Sequence, residues 1–295
     1  MAKMLSKAAP WSPSRSRSAA PQVRRLVHED TPALAQLVSV DPVANVFVAA
    51  HLDATGSAAA MGSGAEIVGA FDGDGRLTSA CWLGANIVPV EVAPAHAPTY
   101  AQAIRGSHRR FASIFGPAEA TLAIFSALDG APARDVRPDQ PLLALDGPPA
   151  VPVDPLVRVT TEADFDVLAP ACVSMFEEEV GYSPVAGGSE NYYRRVRQLI
   201  AAGHSFARFG ERGEVVFKAE LGSVSSAATQ VQGVWVDPRH RGTGLSHGGM
   251  AAIVEHARAI APIVSLYVND YNHRARAAYR KVGFEQVGTF ATVLF

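Results

Sequence analysis

The side chains best suited to chemistry lie in the run Val234-Trp-Val-Asp-Pro-Arg-His-Arg-Gly-Thr-Gly-Leu-Ser246. Two arginines, Arg239 and Arg241, stand beside Gly242 and Gly244, with Thr243 between the glycines and Leu245 and Ser246 after them. An apolar segment, Gln230 to Val236, precedes the run, and a helical pattern follows it to about Ile260. This is a strand, a tight loop and a helix start. Such a junction leaves several backbone N–H groups unpaired beside the positive end of a helix dipole, which suits a phosphate or pyrophosphate. Glycine lets a ligand approach the backbone, and each Arg fork donates to two oxygens together. A plain surface connection can have the same composition, so the loop by itself leaves both readings open.

The strand-like run Ile263 to Val268 comes next, then Asn272-His-Arg-Ala-Arg-Ala-Ala-Tyr-Arg-Lys-Val-Gly-Phe284. With this second stretch the sequence resembles the GNAT superfamily of N-acetyltransferases. That family's acyl-CoA loop, [Q/R]-x-x-G-x-[G/A], is met by Arg239, Gly242 and Gly244. It is met again two residues later by Arg241, Gly244 and Ser246, with Ser in place of the usual Gly or Ala. The later signature N-x-x-A-x-x-x-Y-x-K-x-G-F is matched at Asn272, Ala275, Tyr279, Lys281, Gly283 and Phe284. The resemblance covers roughly Pro155 to Phe295.

That resemblance implies transfer of an acetyl group from acetyl-CoA to a primary amine by direct attack, with no metal. The pyrophosphate would sit on the loop, and backbone groups of Val234 and Val236 would pair with the pantetheine arm and polarise the thioester. Asn272 would contact the same arm, or cap the following helix, or do both. Tyr279 lies one helical turn after Ala275, on the inward face with Ala278 and Val282. By the resemblance it is the general acid, a phenol of pKa about 10 protonating the leaving thiolate; packing in the core is the alternative.

The base is less plain. Where some family members carry a Glu, this chain has Ala228, followed by Gln230 and Gln232, neither of which can take a proton usefully. Glu220 is the remaining choice for catalysis. It shares a strand face with Lys218, so pairing of the two on a solvated face competes with that role. Glu177, Glu178 and Glu179 could bind a cationic acceptor or form a solvated helix end, and a water relay could replace a dedicated base. The missing central-strand Glu leaves room for a CoA-binding regulatory module without turnover, and the donor could also be a longer acyl-CoA. The acceptor, a small molecule or a protein, and the oligomeric state cannot be read from the residues.

These groups need a scaffold, and the 295 residues suffice for two domains. Proline density in Asp146-Gly-Pro-Pro-Ala-Val-Pro-Val-Asp-Pro155 stops helix and sheet and marks a boundary. We read residues 1–20 as a disordered tail, 21–147 as an N-terminal domain, 148–155 as linker and 156–295 as the GNAT domain. The fold class is α/β (α+β), with a mixed, mostly antiparallel sheet flanked by helices. In the first half, a strand at Val23 to Val27 and helices at Ala33 to Val40 and Val43 to Leu52 lead to a hairpin around Asp72-Gly-Asp-Gly75. Further elements follow at Ala85 to Val92, Ala97 to His108, Ala118 to Leu128 and Arg137 to Leu145. That order matches the GNAT layout without its loop or tyrosine motif, and points to a degenerate duplicate.

Composition narrows the classes further. A net charge of -2, from 26 basic and 28 acidic residues, gives no electrostatic case for nucleic acid or a membrane surface. Cys81 and Cys172 are the two cysteines and lack disulfide or metal-ligand spacing. No apolar run reaches the roughly 18 residues of a membrane span. The expected compartment is the cytoplasm.

Overall fold

A computed structural model describes residues 22–59 and 64–295. The expected tail at residues 1–20 lies outside the described residues. No helix among those described is long and apolar enough to cross a membrane.

The chain runs β1 (Gln22–Arg25), α1 (Thr31–Val38), α2 (Val46–Thr55), β2 (Glu66–Phe71), β3 (Leu77–Leu83), β4 (Asn86–Val90), α3 (Ala97–Gly106), β5 (Ser113–Pro117), α4 (Ala118–Ala127) and β6 (Asp135–Asp146). It then repeats that plan: β7 (Val157–Val159), α5 (Phe165–Val180), α6 (Glu190–Ala201), β8 (Ser205–Phe209), β9 (Val215–Val224), β10 (Ala228–Val236), α7 (Leu245–Arg258), β11 (Ile263–Tyr267), α8 (His273–Val282) and β12 (Glu285–Leu294). Element for element, the second half copies the first.

The strands form one sheet in the order β1-β2-β3-β4-β5-β12-β6-β11-β10-β9-β8-β7. All neighbours are antiparallel except β4 with β5 and β10 with β11, the two pairs joined through a crossover helix. Each half keeps five strands and exchanges its sixth. Strand β6 lies against β11, and β12 lies against β5, with β6 and β12 paired at the centre. The fold is thus two copies of one layout locked by strand exchange.

Local chemistry explains several joints. The Asp164 carboxylate accepts the Thr161 amide at 2.7 Å and fixes the turn that leads into α5. Gly181 and Gly283 end α5 and α8 in the left-handed conformation that favours glycine. Strand β5 is an element the sequence reading did not assign, because the short run Ser-Ile-Phe-Gly-Pro ends in turn residues. The closing segment is the single strand β12, with irregular register near Gln286 and near Phe290.

Two cores flank the second half of the sheet. On one face, Met250, Ile253 and Val254 of α7 and Tyr279 and Val282 of α8 pack on Phe217, Ala219, Leu221 and Val231. On the other, Phe165, Leu168 and Cys172 of α5 and Val196 and Ile200 of α6 enclose Ala207, Val215 and Trp235. Helices on both faces hold this half of the sheet around an opening within it.

Candidate active site

That opening is between β10 and β11. The two strands pair only at Ala228 to Gln230 with Ile263 to Ser265 and then separate. Divergence is helped by a bulge in β10. Its register with β9 jumps from Gln232↔Glu220 to Trp235↔Lys218, so the β10 side carries an extra residue. Gly233 occupies the bulge with φ +59°, a left-handed value that favours glycine.

Where the strands part lies a cleft of about 360 Å³. It is lined by Val234, Trp235 and Val236 of β10, the loop through Gly242 and Gly244, and Asn272, Ala275 and Tyr279 of α8. Two motifs separated in sequence by a helix and a strand therefore face each other.

The loop is built to leave amides free. Asp237 accepts from the Arg239 amide at 2.8 Å and holds the Arg239 guanidinium through bonds of 3.0 and 2.7 Å, which fixes the turn after β10. The same guanidinium pulls the Asp237 carboxyl down to about 2. Gly242 and Gly244 both take left-handed angles, φ +84° and +85°. Among the described residues, no hydrogen bond takes up the amides from Gly242 to Ser246. Leu245 and Ser246 are the first residues of α7, whose first turn carries no acidic residue. The result is a concave row of N–H donors at the positive end of a helix dipole, open to an anion.

Arg241 borders this row and is engaged elsewhere. Its Nη2 donates to both Glu178 carboxylate oxygens at 2.9 and 2.7 Å, and its Nε donates to the Val236 carbonyl at 3.0 Å. Arg239, folded onto Asp237, does not line the cleft, nor does Thr243, whose hydroxyl donates to the His240 carbonyl at 2.8 Å. Leu245 and Ser246 do line it. Asn272 caps α8, its Oδ1 accepting the Ala275 amide at 3.1 Å, while its residue also borders the cleft.

Tyr279 is 8% exposed and reaches the cleft from α8. Its hydroxyl donates to no described group. Burial, and then the nearby charge of Glu179, push the phenol pKa up, so it is held protonated and able to donate.

Glu220 lies elsewhere. The sequence left it open between catalysis and pairing with Lys218 on a solvated face; Glu220 is 6% exposed and Lys218 is fully buried, because α5 covers this face of the sheet. Lys218 Nζ donates to Glu220 Oε1 at 2.6 Å, and Glu220 is not among the residues lining the cleft.

The structure gives three other groups a defined place: Glu178 and Glu179 of the acidic run, and Arg274, which the sequence did not single out. Glu178 forms part of the cleft wall, accepting from Trp235 Nε1 at 3.1 Å as well as from Arg241. Arg274 also borders the cleft, is exposed and has no ion-pair partner among the described residues. Glu179, like Glu220, is not among the residues lining the cleft; burial raises its carboxyl pKa despite the nearby Arg137 and Lys218. Arg137, on exchanged strand β6, donates to the Glu179 carbonyl at 2.8 Å and so fixes the end of α5. The Glu177-Glu178-Glu179 run was visible in the sequence, but no local pattern tells a cleft wall from a solvated helix end.

Residues 173–284 match the Acetyltransferase (GNAT) family. The C-terminal half is a GNAT domain. Residues 65–168 match a Domain of unknown function, DUF4081. A tandem GNAT protein from the clavulanic acid biosynthesis pathway is 17% identical, with a TM-score of 0.54 over 92% of this chain and 97% of its own. A GCN5-related N-acetyltransferase from Sphaerobacter thermophilus is 17% identical, with a TM-score of 0.57 over 92% and 94%. A Drosophila protein is 14% identical, with a TM-score of 0.62 over 93% and 99%. At these identities the likeness is one of fold, and it extends over both halves of the chain. No curated protein matches.

Proposed function

We propose that the GNAT domain moves the acetyl group of acetyl-CoA to a primary amine by direct attack. One observation carries this reading: Gly242, Gly244, Leu245 and Ser246, whose amides have no partner among the described residues, line the same cleft as Tyr279. The amides and Arg241 take the pyrophosphate, with Arg274 available to a further phosphate. The separated edge of β10 at Val234 and Val236 receives the pantetheine arm, Val236 once Arg241 has released its carbonyl.

The amine nitrogen attacks the thioester carbonyl, the tetrahedral intermediate expels sulfur, and Tyr279 gives its proton to the departing thiolate. The proton lost by the amine needs an acceptor. Glu179 suits this better than Glu220, because burial raises its carboxyl and no hydrogen bond ties it among the described residues, whereas Glu220 is tied to Lys218. Acceptors presenting a neutral amine, on a small molecule or on a protein, fit this arrangement.

Free-thiol release from acetyl-CoA across a panel of amines tests the reading. Turnover with at least one amine, lost in Tyr279→Phe, supports it. Saturable binding without thiol release from acetyl-, propionyl- or succinyl-CoA would instead mark a CoA-binding regulatory module.

A further inference from the structure

We propose that the buried Lys218–Glu220 pair is a positioning device, which holds the β10 bulge at Gly233 and so aims the Val234 backbone at the acyl group. The proposal rests on the transfer reading above and adds residues outside the cleft to it.

Lys218 and Glu220 are the β9 residues that β10 pairs with on either side of the bulge, Trp235↔Lys218 and Gln232↔Glu220. Lys218 Nζ donates to Glu220 Oε1 at 2.6 Å and to the Gly233 carbonyl at 3.0 Å. Glu220 Oε2 in turn accepts from Gln232 Nε2 at 3.4 Å. The pair therefore grips the bulged strand at Gly233 through one partner and at Gln232 through the other. Gly233 fits closely against it: a Cβ added there would stand 3.1 Å from both Glu220 Oε2 and Lys218 Nζ. Val234, the next residue, lines the cleft.

A buried ion pair is poor evidence of stabilisation, since apolar residues of similar volume commonly serve as well. What an apolar pair cannot do is donate to the Gly233 carbonyl. Without that donor the bulge is free to relax toward a regular ladder, and a one-residue slip there turns the following side chains to the opposite face. The Val234 amide and carbonyl would then miss the thioester by a distance that matters to the reaction and little to the pyrophosphate loop.

The test is the neutral double variant Lys218→Met/Glu220→Gln, which leaves no lone buried charge. We expect CoA affinity by calorimetry to stay within about threefold while kcat falls about 10- to 100-fold, as when one aligned donor is lost from a reacting carbonyl. The infrared carbonyl stretch of bound acetyl-CoA, shifted in the wild type, should return toward its free value in the variant. Wild-type kcat and an unchanged stretch overturn the proposal. If the double variant does not fold, Gly233→Ala decides, because its methyl pushes on the same pair: the same kcat-selective loss supports the device, and unchanged kcat refutes it. If the wild type binds acetyl-CoA without releasing thiol, the transfer reading fails, and the infrared shift alone then decides the positioning role.

Discussion

Arg241 and Glu178 are joined by a forked ion pair of 2.7 and 2.9 Å beside the amide row of the cleft. Both side chains are partly exposed, at 34% and 46%, so the pair is held by modest energy. Such a contact contributes about 0 to 1 kcal/mol and is readily exchanged for a phosphate. Under the proposed reading Glu178 would give up Arg241 to the anion; it also closes one wall of the cleft through Trp235.

Glu178→Gln removes the competing charge and keeps an oxygen for Trp235. Acetyl-CoA should bind up to about fivefold more tightly, the equivalent of about 1 kcal/mol. Calorimetric titration of both proteins checks this. Weaker binding in the variant would mean that Glu178 helps to hold Arg241 in its bound position.

Tyr279→Phe deletes the proposed acid and leaves the ring packed near Phe284, whose centroid is 6.1 Å away. Loss of a general acid is expected to lower kcat about 10²- to 10⁴-fold, with the KM for acetyl-CoA changed by less than about threefold. Steady-state thiol release measures both constants. A rise in KM with kcat intact would assign the tyrosine to binding.

Glu179 makes the pH profile diagnostic. Its carboxyl is raised by burial, and a base must be unprotonated to act, so kcat should fall as pH drops through that raised value. The acidic limb then lies above the ordinary carboxylate range of about 4.3. Glu179→Gln should abolish this limb and lower kcat, as read from pH–rate profiles with a fixed amine. A limb that persists unchanged in the variant would assign it to another group.

Acid stability follows from three aspartates held below their usual range. Hydrogen bonds from Arg24 lower Asp30, those from Arg158 lower Asp164, and those from Arg239 bring Asp237 down to about 2. A depressed carboxyl gives stability that is complete above its unfolded pKa of about 3.9 and drains as pH falls toward the folded value. Urea midpoints should therefore be steady from about pH 7 to 5 and drop steeply below about pH 4. Constant midpoints down to about pH 2.5 would contradict these assignments.

Much of the site was legible because it is local. The glycine loop and the start of α7 follow from backbone geometry and helical spacing, which neighbouring residues set, and the Asn272 to Phe284 stretch from its resemblance to the GNAT signature. The order of elements also exposed the duplicated plan. What the sequence could not show is long-range. The exchange of β6 and β12 depends on pairing across more than a hundred residues, and β5 is too short and too rich in turn formers to stand out. Alternation along β9 placed Lys218 and Glu220 on one face, but only the packing of α5 decides that this face is buried. The ties from Glu178 to Arg241 and from Arg137 to the end of α5 are likewise products of tertiary folding.

Titration calorimetry of the intact protein with acetyl-CoA, repeated on Gly244→Asp, tests the central claim most directly. Gly244 has left-handed backbone and only His247 Nδ1 near its open side, at 3.7 Å, so the aspartate places a negative charge within the amide row. The account predicts saturable one-to-one binding by the wild type and at least about 100-fold weaker binding by the variant, about 2.7 kcal/mol. Absence of saturable binding in the wild type, or equal affinity in the two proteins, would contradict it.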